Sequence, residues 1–463
     1  MTTIPLVTQP LDDINVTENA KNTSIDLFQN FDDPFTTGKV ARFELENTSL
    51  GGGVTNVLLF DQSDEGAPET VANFTNYVED GDYVNSIIHR SVPGFIIQGG
   101  GFTSNDLEIA NVPADPAVVN EFSEDRSNLR GTIAMAKLGN DPNSATNQWF
   151  FNLANNSDNL DNQNGGFTVF GEVLSESDLA PVDAIADVSI FNGSNINSAF
   201  SDLPLILNDD TNRSIENDQN YIRYKNITIS QTDELEFKVS NNSNPDLVDV
   251  FVSRGGLYID YADDQNGTAE ITIEATDLLG DSVEDTFTIT VEEDNSVPPS
   301  GGGGNGVPVE NSNRDSTVYR FLNQDTGVHL YTTSKVERDN NLETLPNYEF
   351  ESFSYVSVDS LTGNPEPKEV YRLLNQDTGT HLYTISENEK NSVENTLDNF
   401  SLESESFFAY TEQQTGTVPV YRFYNNETGA HFYTPSEVEK SVIDETLPNY
   451  TSEGIAYYVF PVD

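Results

Sequence analysis

The last third of the chain contains three copies of one segment, and this repetition constrains the fold more than any other feature. Each copy begins with Val-Tyr-Arg and carries a Thr-Gly pair shortly before a histidine. The copies start at Val318, Val370 and Val420, which are 52 and 50 residues apart. Each predicts a strand, a tight turn, a second strand and a short helix. Three copies predict one closed, pseudo-threefold β-rich unit over 316–463, with repeats at 318–362, 370–413 and 420–463.

The chain is strongly acidic, and this limits its partners. Its 463 residues include 77 Asp and Glu against 21 Lys and Arg, a formal net charge of −56. A chain of this length predicts two to four domains. Binding to phosphate groups needs clustered cations, so the composition argues against nucleic acid and anionic membranes as partners. Net charge bears on solubility and partners and does not determine the fold.

Residue types that are missing or scarce exclude several kinds of chemistry. The chain has no Cys, so disulfides, thiol nucleophiles and Cys-ligated metals are excluded. It has only four histidines, and the sequence gives little support to a Ser-His-Asp hydrolase. No run approaches the roughly 18 apolar residues of a membrane span. The N-terminal residues show neither the basic nor the apolar region of a signal peptide.

Changes in sequence texture divide the rest of the chain. A polar extension covers 1–37, and an alternating stretch at 23–28 predicts an edge strand. Short strands around one amphipathic helix cover 38–200 and predict a β-barrel with helical caps. Alternation typical of a β-sandwich covers 205–293, including a strand at 227–230. Residues 294–315 are rich in Gly and Pro and predict a flexible linker.

The stretch 85–102 concentrates unusual residues inside the first of these regions. It reads N-S-I-I-H-R-S-V-P-G-F-I-I-Q-G-G-G-F and contains His89 and Arg90 in an otherwise apolar run. A guanidinium is rarely buried unless something binds it. Two interpretations follow: Arg90 pairs with a structural carboxylate, or it binds a ligand. His89 is expected to be structural and satisfied within the barrel.

Residues about 39–195 resemble the cyclophilin-type peptidyl-prolyl isomerases, especially their bacterial branch. Five motifs occur in the family's order: H-R-S-V-P-G-F-I-I-Q-G-G-G-F (89–102), G-T-I-A-M-A (131–136), N-Q-W-F-F-N (147–152), N-L-D-N (159–162) and F-T-V-F-G-E-V (167–173). The resemblance implies a closed antiparallel β-barrel with capping helices. The whole chain is then expected to be mainly β, with this barrel followed by the β-sandwich and the repeat domain.

The resemblance also implies an activity and a set of site residues. The activity is rotation about X-Pro bonds in proline-containing polypeptides, which needs no metal or cofactor. Arg90 is the implied catalytic guanidinium, and Gln98 hydrogen-bonds the substrate backbone. The implied pocket and neighbouring subsite consist of Phe95, Ile96, Ala136, Gln148, Phe150, Leu160 and Phe167. For each apolar member taken alone, core packing is the favoured role, and only their grouping with Arg90 favours a binding site. The rival hypothesis is a cell-surface adhesion protein whose barrel binds proline-containing segments without turnover.

Three departures from the family pattern affect the expected site. Asn159 stands where eukaryotic members often have Trp, which puts cyclosporin sensitivity in doubt. Phe167 stands where they often have His and keeps the pocket apolar. Lys137 replaces the family's Asn and precedes a longer loop at 138–146, so one backbone contact to substrate is uncertain. None of the three removes Arg90.

The remaining modules give expectations about ligands and location. The 205–293 segment resembles cadherin-like or immunoglobulin-like bacterial modules, and Asp277, Asp281 and Asp294 are either calcium ligands or a solvated acidic surface. The repeats resemble a module at the ends of secreted bacterial enzymes. Their tyrosines are either core residues or a carbohydrate surface. Both modules favour an extracellular or cell-surface location in a bacterium, and the missing signal peptide argues against it. The repeat histidines either bond within their hairpins or meet at one metal site; they are His329, His381 and His431.

Overall fold

The structure is a computed structural model that describes residues 4–207, 214–293, 317–358, 365–403 and 407–462. The described chain is mainly β, with 31 strands, six α-helices and two short 3-10 helices at Leu27–Gln29 and Asp218–Asn220. No helix in these ranges is long and apolar enough to cross a membrane. The predicted linker at 294–315 lies outside the described residues.

The elements up to residue 231 are β1 (Leu6–Val7), β2 (Ile14–Thr17), β3 (Thr23–Asp26), β4 (Phe31–Asp32), β5 (Lys39–Leu45), β6 (Val54–Leu59), α1 (Pro68–Glu79), β7 (Arg90–Val92), β8 (Ile96–Gly99), β9 (Phe102–Asn105), β10 (Glu108–Asn111), β11 (Thr132–Met135), β12 (Trp149–Asn152), α2 (Ser157–Leu160), β13 (Val169–Val173), α3 (Glu176–Ala186), β14 (Ile190–Phe191), β15 (Leu203–Pro204) and β16 (Tyr224–Gln231).

The elements after residue 231 are β17 (Leu235–Asn242), β18 (Val248–Ser253), β19 (Gly256–Tyr261), β20 (Gly267–Asp277), β21 (Ser282–Glu292), β22 (Thr317–Asn323), β23 (Val328–Thr332), α4 (Lys335–Thr344), β24 (Tyr348–Val356), β25 (Lys368–Asn375), β26 (His381–Thr384), α5 (Glu387–Thr396), β27 (Phe400–Leu402), β28 (Phe407–Ala409), β29 (Val418–Asn425), β30 (His431–Thr434), α6 (Glu437–Thr446) and β31 (Tyr450–Val459).

The chain divides into two compact units. The first comprises the described residues of Met1–Pro10, Phe28–Phe237 and Glu274–Asp285. The second comprises those of Leu11–Leu27, Lys238–Ile273 and Thr286–Asp463. The predicted divisions at 37, 200 and 293 differ from these boundaries, because both units are assembled from segments that are distant in sequence.

The first unit is built on an eight-stranded sheet in the order β16-β5-β6-β13-β11-β12-β8-β7. Side chains alternate between its two faces, as strand geometry requires. On β6, Val57 and Leu59 join the large core that includes α1 and α3, whereas Leu58 belongs to a separate cluster on the opposite face. The edge strands of this sheet are β16 and β7. Ile87 and Arg223, which precede β7 and β16, pair with each other through an isolated β-bridge.

The last strand of this sheet corrects a sequence-based assignment. Residues 227–230 were expected in a β-sandwich, but β16 pairs with β5, with Ile227 opposite Phe43. Alternating apolar and polar residues predict a half-buried strand without identifying the sheet that it joins. The eighth strand therefore comes from beyond the predicted barrel boundary at residue 200.

Two further sheets combine strands from the two ends of the first 293 residues. The orders are β17-β20-β21-β2 and β18-β19-β3. The strand β2 runs parallel to β21, and β3 is antiparallel to β19. The predicted edge strand at 23–28 is confirmed as β3, but the N-terminal segment is no separate extension. The strands that pair with β2 and β3 lie more than 200 residues away in sequence. No local sequence pattern reveals such a pairing.

The repeats form three similar small sheets, ordered β23-β22-β24, β26-β25-β27 and β30-β29-β31. A fully buried tyrosine from each copy joins the other two in a cycle. Tyr331 donates to the carbonyl of Tyr433 at 2.7 Å, Tyr433 to that of Tyr383 at 2.8 Å, and Tyr383 to that of Tyr331 at 2.7 Å. The copies therefore contact one another around a common core.

Candidate active site

The stretch that contains Arg90 folds into a tight hairpin. The strands β7 and β8 pair so that Arg90 lies directly opposite Gln98. The turn between them contains Gly94 with φ +73°, a value that glycine adopts without a steric penalty. Directly opposed residues project from the same face of a sheet, and Arg90 Nη1 lies 3.4 Å from Gln98 Oε1. Two of the three predicted polar site residues, Arg90 and Gln98, are thus held together by backbone register.

The same face continues across the neighbouring strands. Gln98 is opposite Phe150, and Phe150 is opposite Ala134 on the next strand. Gln98 Nε2 also donates to Gln148 Oε1 at 2.9 Å. Strand pairing therefore connects Arg90 through Gln98 to the apolar surface at Phe150. The amide of Gln148 joins this row through its bond to Gln98.

Six of the predicted site residues are apolar and meet in one cluster. Three are buried and three are partly exposed within it; the members are Ile96, Phe150 and Leu160, and Phe95, Ala136 and Phe167. Phe150 and Phe167 pack edge to face, with ring centroids 5.8 Å apart. An apolar surface with partly open members suits a proline ring.

Arg90 is only loosely held by its neighbours. Its Nε lies 3.8 Å from Asp202 Oδ2, and the side chains are 34% and 42% exposed. Exposed pairs at this distance contribute about 0–1 kcal/mol. A guanidinium has five N–H donors, and the described contacts of Arg90 engage few of them. The predicted alternative of a strong structural ion pair therefore has little support in the geometry.

His89 is buried behind this hairpin. It is 2% exposed and packs edge-on against Phe102 at 5.0 Å. Burial, together with the charge of Arg90, lowers the pKa of His89 to about 4, so the ring is neutral near pH 7. Among the described residues, its Nδ1 has no hydrogen-bond partner. His89 is thus a packing residue, as expected. The further expectation that its hydrogen-bonding groups are satisfied is not met at Nδ1.

Two asparagines that the sequence reasoning missed support the pocket. Asn156 Nδ2 donates to the carbonyl of Phe95 at 2.8 Å and to Asn152 Oδ1 at 2.7 Å. Asn152 in turn donates to Thr132 Oγ1 at 2.9 Å. This buried network fixes the backbone of a pocket residue. Asn152 closes a motif quoted above, but no spacing rule connects it to Phe95.

The three departures from the family pattern differ in their surroundings, and Phe167 has already been placed in the apolar cluster. Asn159 is exposed. Lys137 lies over the ring of Phe167, with Nζ 4.8 Å from the centroid. The family's Asn is therefore replaced by a cation that contacts a wall of the pocket.

The other candidate ligand groups are engaged within the protein. Each repeat histidine faces a glutamate of its own repeat: His329 and Glu351 at 3.1 Å, His381 and Glu403 at 3.1 Å, and His431 and Glu453 at 3.3 Å. Across the described ranges, no group of three His, Cys, Asp or Glu side chains could hold a metal. Asp277 Oδ1 accepts from the N–H groups of Leu279 and Asp281, both at 2.9 Å. Asp294 lies outside the described residues.

Two parts of the chain match described protein families. Residues 47–200 match the family described as cyclophilin type peptidyl-prolyl cis-trans isomerase/CLD. Residues 281–366 and 317–460 match a domain of unknown function, DUF5648. A crystal structure of a Cryptosporidium parvum cyclophilin type isomerase, 18% identical, covers 42% of this chain and 99% of its own, with a TM-score of 0.29.

Three bacterial relatives match the same region. A peptidyl-prolyl cis-trans isomerase of Acinetobacter baylyi is 46% identical over 123 residues, 26% of this chain and 62% of that protein. Isomerase A of Dickeya dadantii is 42% identical over 131 residues, 28% of this chain and 65% of that protein. Isomerase B of Escherichia coli is 41% identical over 132 residues, 27% of this chain and 76% of that protein. The chain thus spans less than two thirds of the first two relatives.

The family match and the bacterial relatives place the region that contains Arg90 and the apolar cluster in the class of peptidyl-prolyl cis-trans isomerases. The chain belongs to the cyclophilin-type peptidyl-prolyl cis-trans isomerase family. The predicted resemblance of residues 39–195 is thereby confirmed.

Proposed function

We propose that the first unit catalyses cis-trans isomerisation of X-Pro bonds in polypeptides. Rotation about the amide has a barrier of about 18–20 kcal/mol, because resonance must be broken. No bond is cleaved, so a site that binds the twisted amide better than either planar isomer is sufficient. Lowering the barrier by about 7 kcal/mol gives roughly a 10⁵-fold acceleration.

The observation that carries the proposal is the under-coordinated guanidinium of Arg90 beside the apolar cluster. In the twisted amide, the nitrogen lone pair localises and becomes a hydrogen-bond acceptor. Arg90 donates to it, while Phe150, Leu160 and Ile96 hold the proline ring. Gln98 contacts Arg90 at 3.4 Å, which limits the orientations of the guanidinium. Such preorganised donors are effective because they need no reorganisation during the reaction.

The proposed chemistry uses a guanidinium as a hydrogen-bond donor and needs no acid or base. His89, neutral near pH 7 with a pKa of about 4, lies at the adjacent position in the chain. No proton transfer is needed at any step. The rate is therefore expected to be insensitive to pH wherever the fold and the pocket walls are unchanged.

A protease-coupled assay with an Ala-Pro tetrapeptide tests the proposal on the full chain. Arg90→Ala is expected to lower kcat/KM by about 10²–10³-fold, the cost of removing one preorganised donor. The matched control is Arg42→Ala, which removes an exposed guanidinium that pairs with Glu44, and it retains activity. Undiminished turnover by Arg90→Ala contradicts the assignment. A wild-type protein that binds the peptide without isomerising it supports the adhesion alternative.

We further infer the finer architecture. The bridge between Ile87 and Arg223 supports closure of the eight-stranded sheet into a barrel. The two sheets that combine β2 and β3 with β17–β21 support a β-sandwich into which the isomerase unit is inserted. The cycle of Tyr331, Tyr383 and Tyr433 supports a closed pseudo-threefold repeat domain.

We also propose an extracellular or cell-surface location in a bacterium. The resemblance of the sandwich and repeats to extracellular modules supports it, as does the bacterial origin of the three relatives. Protease treatment of intact cells tests the location. Degradation of the protein without cell lysis is expected, and complete protection contradicts the proposal.

A further inference from the structure

Lys137 connects three loops beside the proline pocket. It directly follows Ala136, a member of the pocket cluster. Its Nζ lies 3.0 Å from Asn120 Oδ1 and 3.1 Å from the carbonyl oxygen of Asn164, and it also donates to the carbonyl of Gly166. An ammonium group has three N–H donors and no acceptor. All three are used, and every acceptor is an uncharged oxygen.

The loop that supplies two of these carbonyls has an unusual backbone. Asn164, Gly165 and Gly166 have φ values of 52°, 76° and 76°. Such values are unfavourable for residues other than glycine. A Cβ on Gly166 would lie 2.2 Å from the ring of Phe122, so this position also lacks space for a side chain. Glycine adopts such φ values without a steric penalty, so Gly165 and Gly166 permit the turn, and the bonds from Lys137 hold the carbonyls of Asn164 and Gly166 together.

Phe167 follows this loop directly and forms a wall of the pocket. The ammonium of Lys137 lies 4.8 Å from its ring centroid, a distance at which a cation is attracted to an aromatic face. The N–H of Phe167 donates to the carbonyl of Leu160 at 3.1 Å. The backbone of Phe167 is thus held by Leu160, and its ring contacts Lys137.

The acidic residues of the surrounding loops are bonded elsewhere. Glu121 accepts from the N–H groups of Glu69 and Thr70, Asp161 from Asn128, and Asp141 from the N–H of Asn143. Among the described ion pairs, none joins a carboxylate to Lys137. Its charge is therefore balanced only by neutral dipoles and the aromatic ring.

We propose that Lys137 is a positioning residue of the isomerase site, which holds the 164–167 loop so that Phe167 closes the proline pocket. This inference rests on the proposed function and deepens it. The residue does not touch the reacting amide. It acts through Phe167 on the affinity for the proline ring.

The proposal predicts an alkaline limit to activity. Burial lowers the pKa of Lys137 to about 8. When the ammonium group of Lys137 loses a proton, it keeps only two N–H donors. Its nitrogen lone pair then faces one of the three oxygens, and that hydrogen bond is lost. The loop then loosens, and KM rises as the pH increases from about 7 to 9.5. Arginine keeps its charge over this range, so Lys137→Arg is expected to remove the alkaline limit.

The test measures kcat, KM and peptide Kd from pH 6.5 to 9.5 for the full-length wild-type protein and three variants. Lys137→Met keeps the chain length without donors. It is expected to lower kcat/KM at pH 7 by about tenfold, mainly through KM, since displacements of about 1 Å cost up to 10²-fold. Lys137→Arg restores most of this loss. Lys225→Met, at an exposed position on β16, is the control and changes neither parameter.

The outcomes separate this inference from the proposed function. Wild-type kcat/KM and an unchanged pH profile in Lys137→Met overturn the inference. The inference is also overturned if Lys137→Met loses activity that Lys137→Arg does not restore, and if the loss accompanies a lower unfolding midpoint measured by Trp149 fluorescence. That result indicates a merely structural role. If the wild type shows no isomerisation, the proposed function fails, and peptide Kd becomes the criterion. Weaker binding by Lys137→Met but not by Lys137→Arg then supports the positioning role, and equal binding contradicts it.

Discussion

Two settings of arginine in this molecule differ in how fully the guanidinium is paired. Arg372, in the repeats, is 5% exposed at its side chain and pairs with Glu337 at 2.8 Å and Glu403 at 2.7 Å. Arg90, in the isomerase unit, has one carboxylate at 3.8 Å. Both lie in sequences that read as strands with apolar neighbours. The difference indicates that a saturated guanidinium stabilises structure, whereas an unsaturated one is available to a ligand.

The repeat arginines also close a cycle between copies. Arg320 bonds Glu439 at 3.1 and 3.0 Å, Arg372 bonds Glu337 at 2.8 and 3.0 Å, and Arg422 bonds Glu389 at 3.0 Å through both terminal nitrogens. Bidentate pairs of this kind are strong and directional. Each copy therefore depends on another copy for the partner of its arginine.

The largest expected effect comes from breaking this cycle. Arg372→Ala leaves Glu337 and Glu403 partly buried without their cation, and loss of a buried partner costs about 3–5 kcal/mol. We expect the free energy of unfolding of 317–462 to fall by this amount while isomerase activity is retained. Hydrogen exchange resolved by peptide measures the loss. Arg90→Ala is the matched variant: it removes activity and changes stability by less than about 1 kcal/mol. Equal destabilisation by both variants contradicts the comparison.

The buried tyrosines provide a second test of the saturated region. Tyr383→Phe removes a hydroxyl that donates to the carbonyl of Tyr331 at 2.7 Å and accepts from its N–H at 3.0 Å. Both partners are buried, so we expect the repeats to lose about 1–3 kcal/mol. Tyr421→Phe, which removes a more exposed hydroxyl bonded to Glu437, is the control and costs less than about 0.5 kcal/mol. Similar losses in the two variants contradict the cycle as a source of stability.

The site residues could be predicted because they lie in short contiguous motifs. The hairpin from Arg90 to Gln98 is local, and its register follows from one turn around Gly94. Phe150, on β12, and Leu160, at the end of α2, follow it within the same stretch of about 70 residues. The resemblance to a known family identified these positions together. Their roles remain predictions until activity is measured.

The parts that escaped prediction are those that depend on distant partners. The sequence of Thr23–Asp26 predicts a strand but not its pairing with Gly256–Tyr261. Likewise, the repeated Val-Tyr-Arg motif shows an arginine in each copy, but Arg320 finds Glu439 across 119 residues. Pattern and propensity describe local conformation, whereas such pairings are decided by the packing of whole modules. The support of Phe167 by Lys137 was missed for the same reason.

His89 extends the comparison to a second residue type in the isomerase unit. Its folded pKa of about 4 lies below the ordinary value of 6.5. Between these values the unfolded chain binds a proton that the folded state does not, so stability rises with pH across this window by up to about 1.4 kcal/mol per pH unit. His89→Gln is expected to reduce this slope between pH 4.5 and 6. Denaturation followed by Trp149 fluorescence measures it, and an unchanged slope contradicts the assignment.

The smallest expected effect concerns the one carboxylate near Arg90. If the pair of Arg90 with Asp202 were structural, Asp202→Asn would free the guanidinium and change activity strongly. The separation of 3.8 Å and the exposure of both side chains instead predict a change in kcat/KM of less than about threefold, within the 0–1 kcal/mol of an exposed pair. Because salt screens such pairs, this small difference from wild type is expected to disappear at about 1 M NaCl. A change in kcat/KM above tenfold would mean that Asp202 orients Arg90. Arg90 would then be held by a carboxylate as the repeat arginines are, and the distinction between saturated and available arginines would be wrong for this residue.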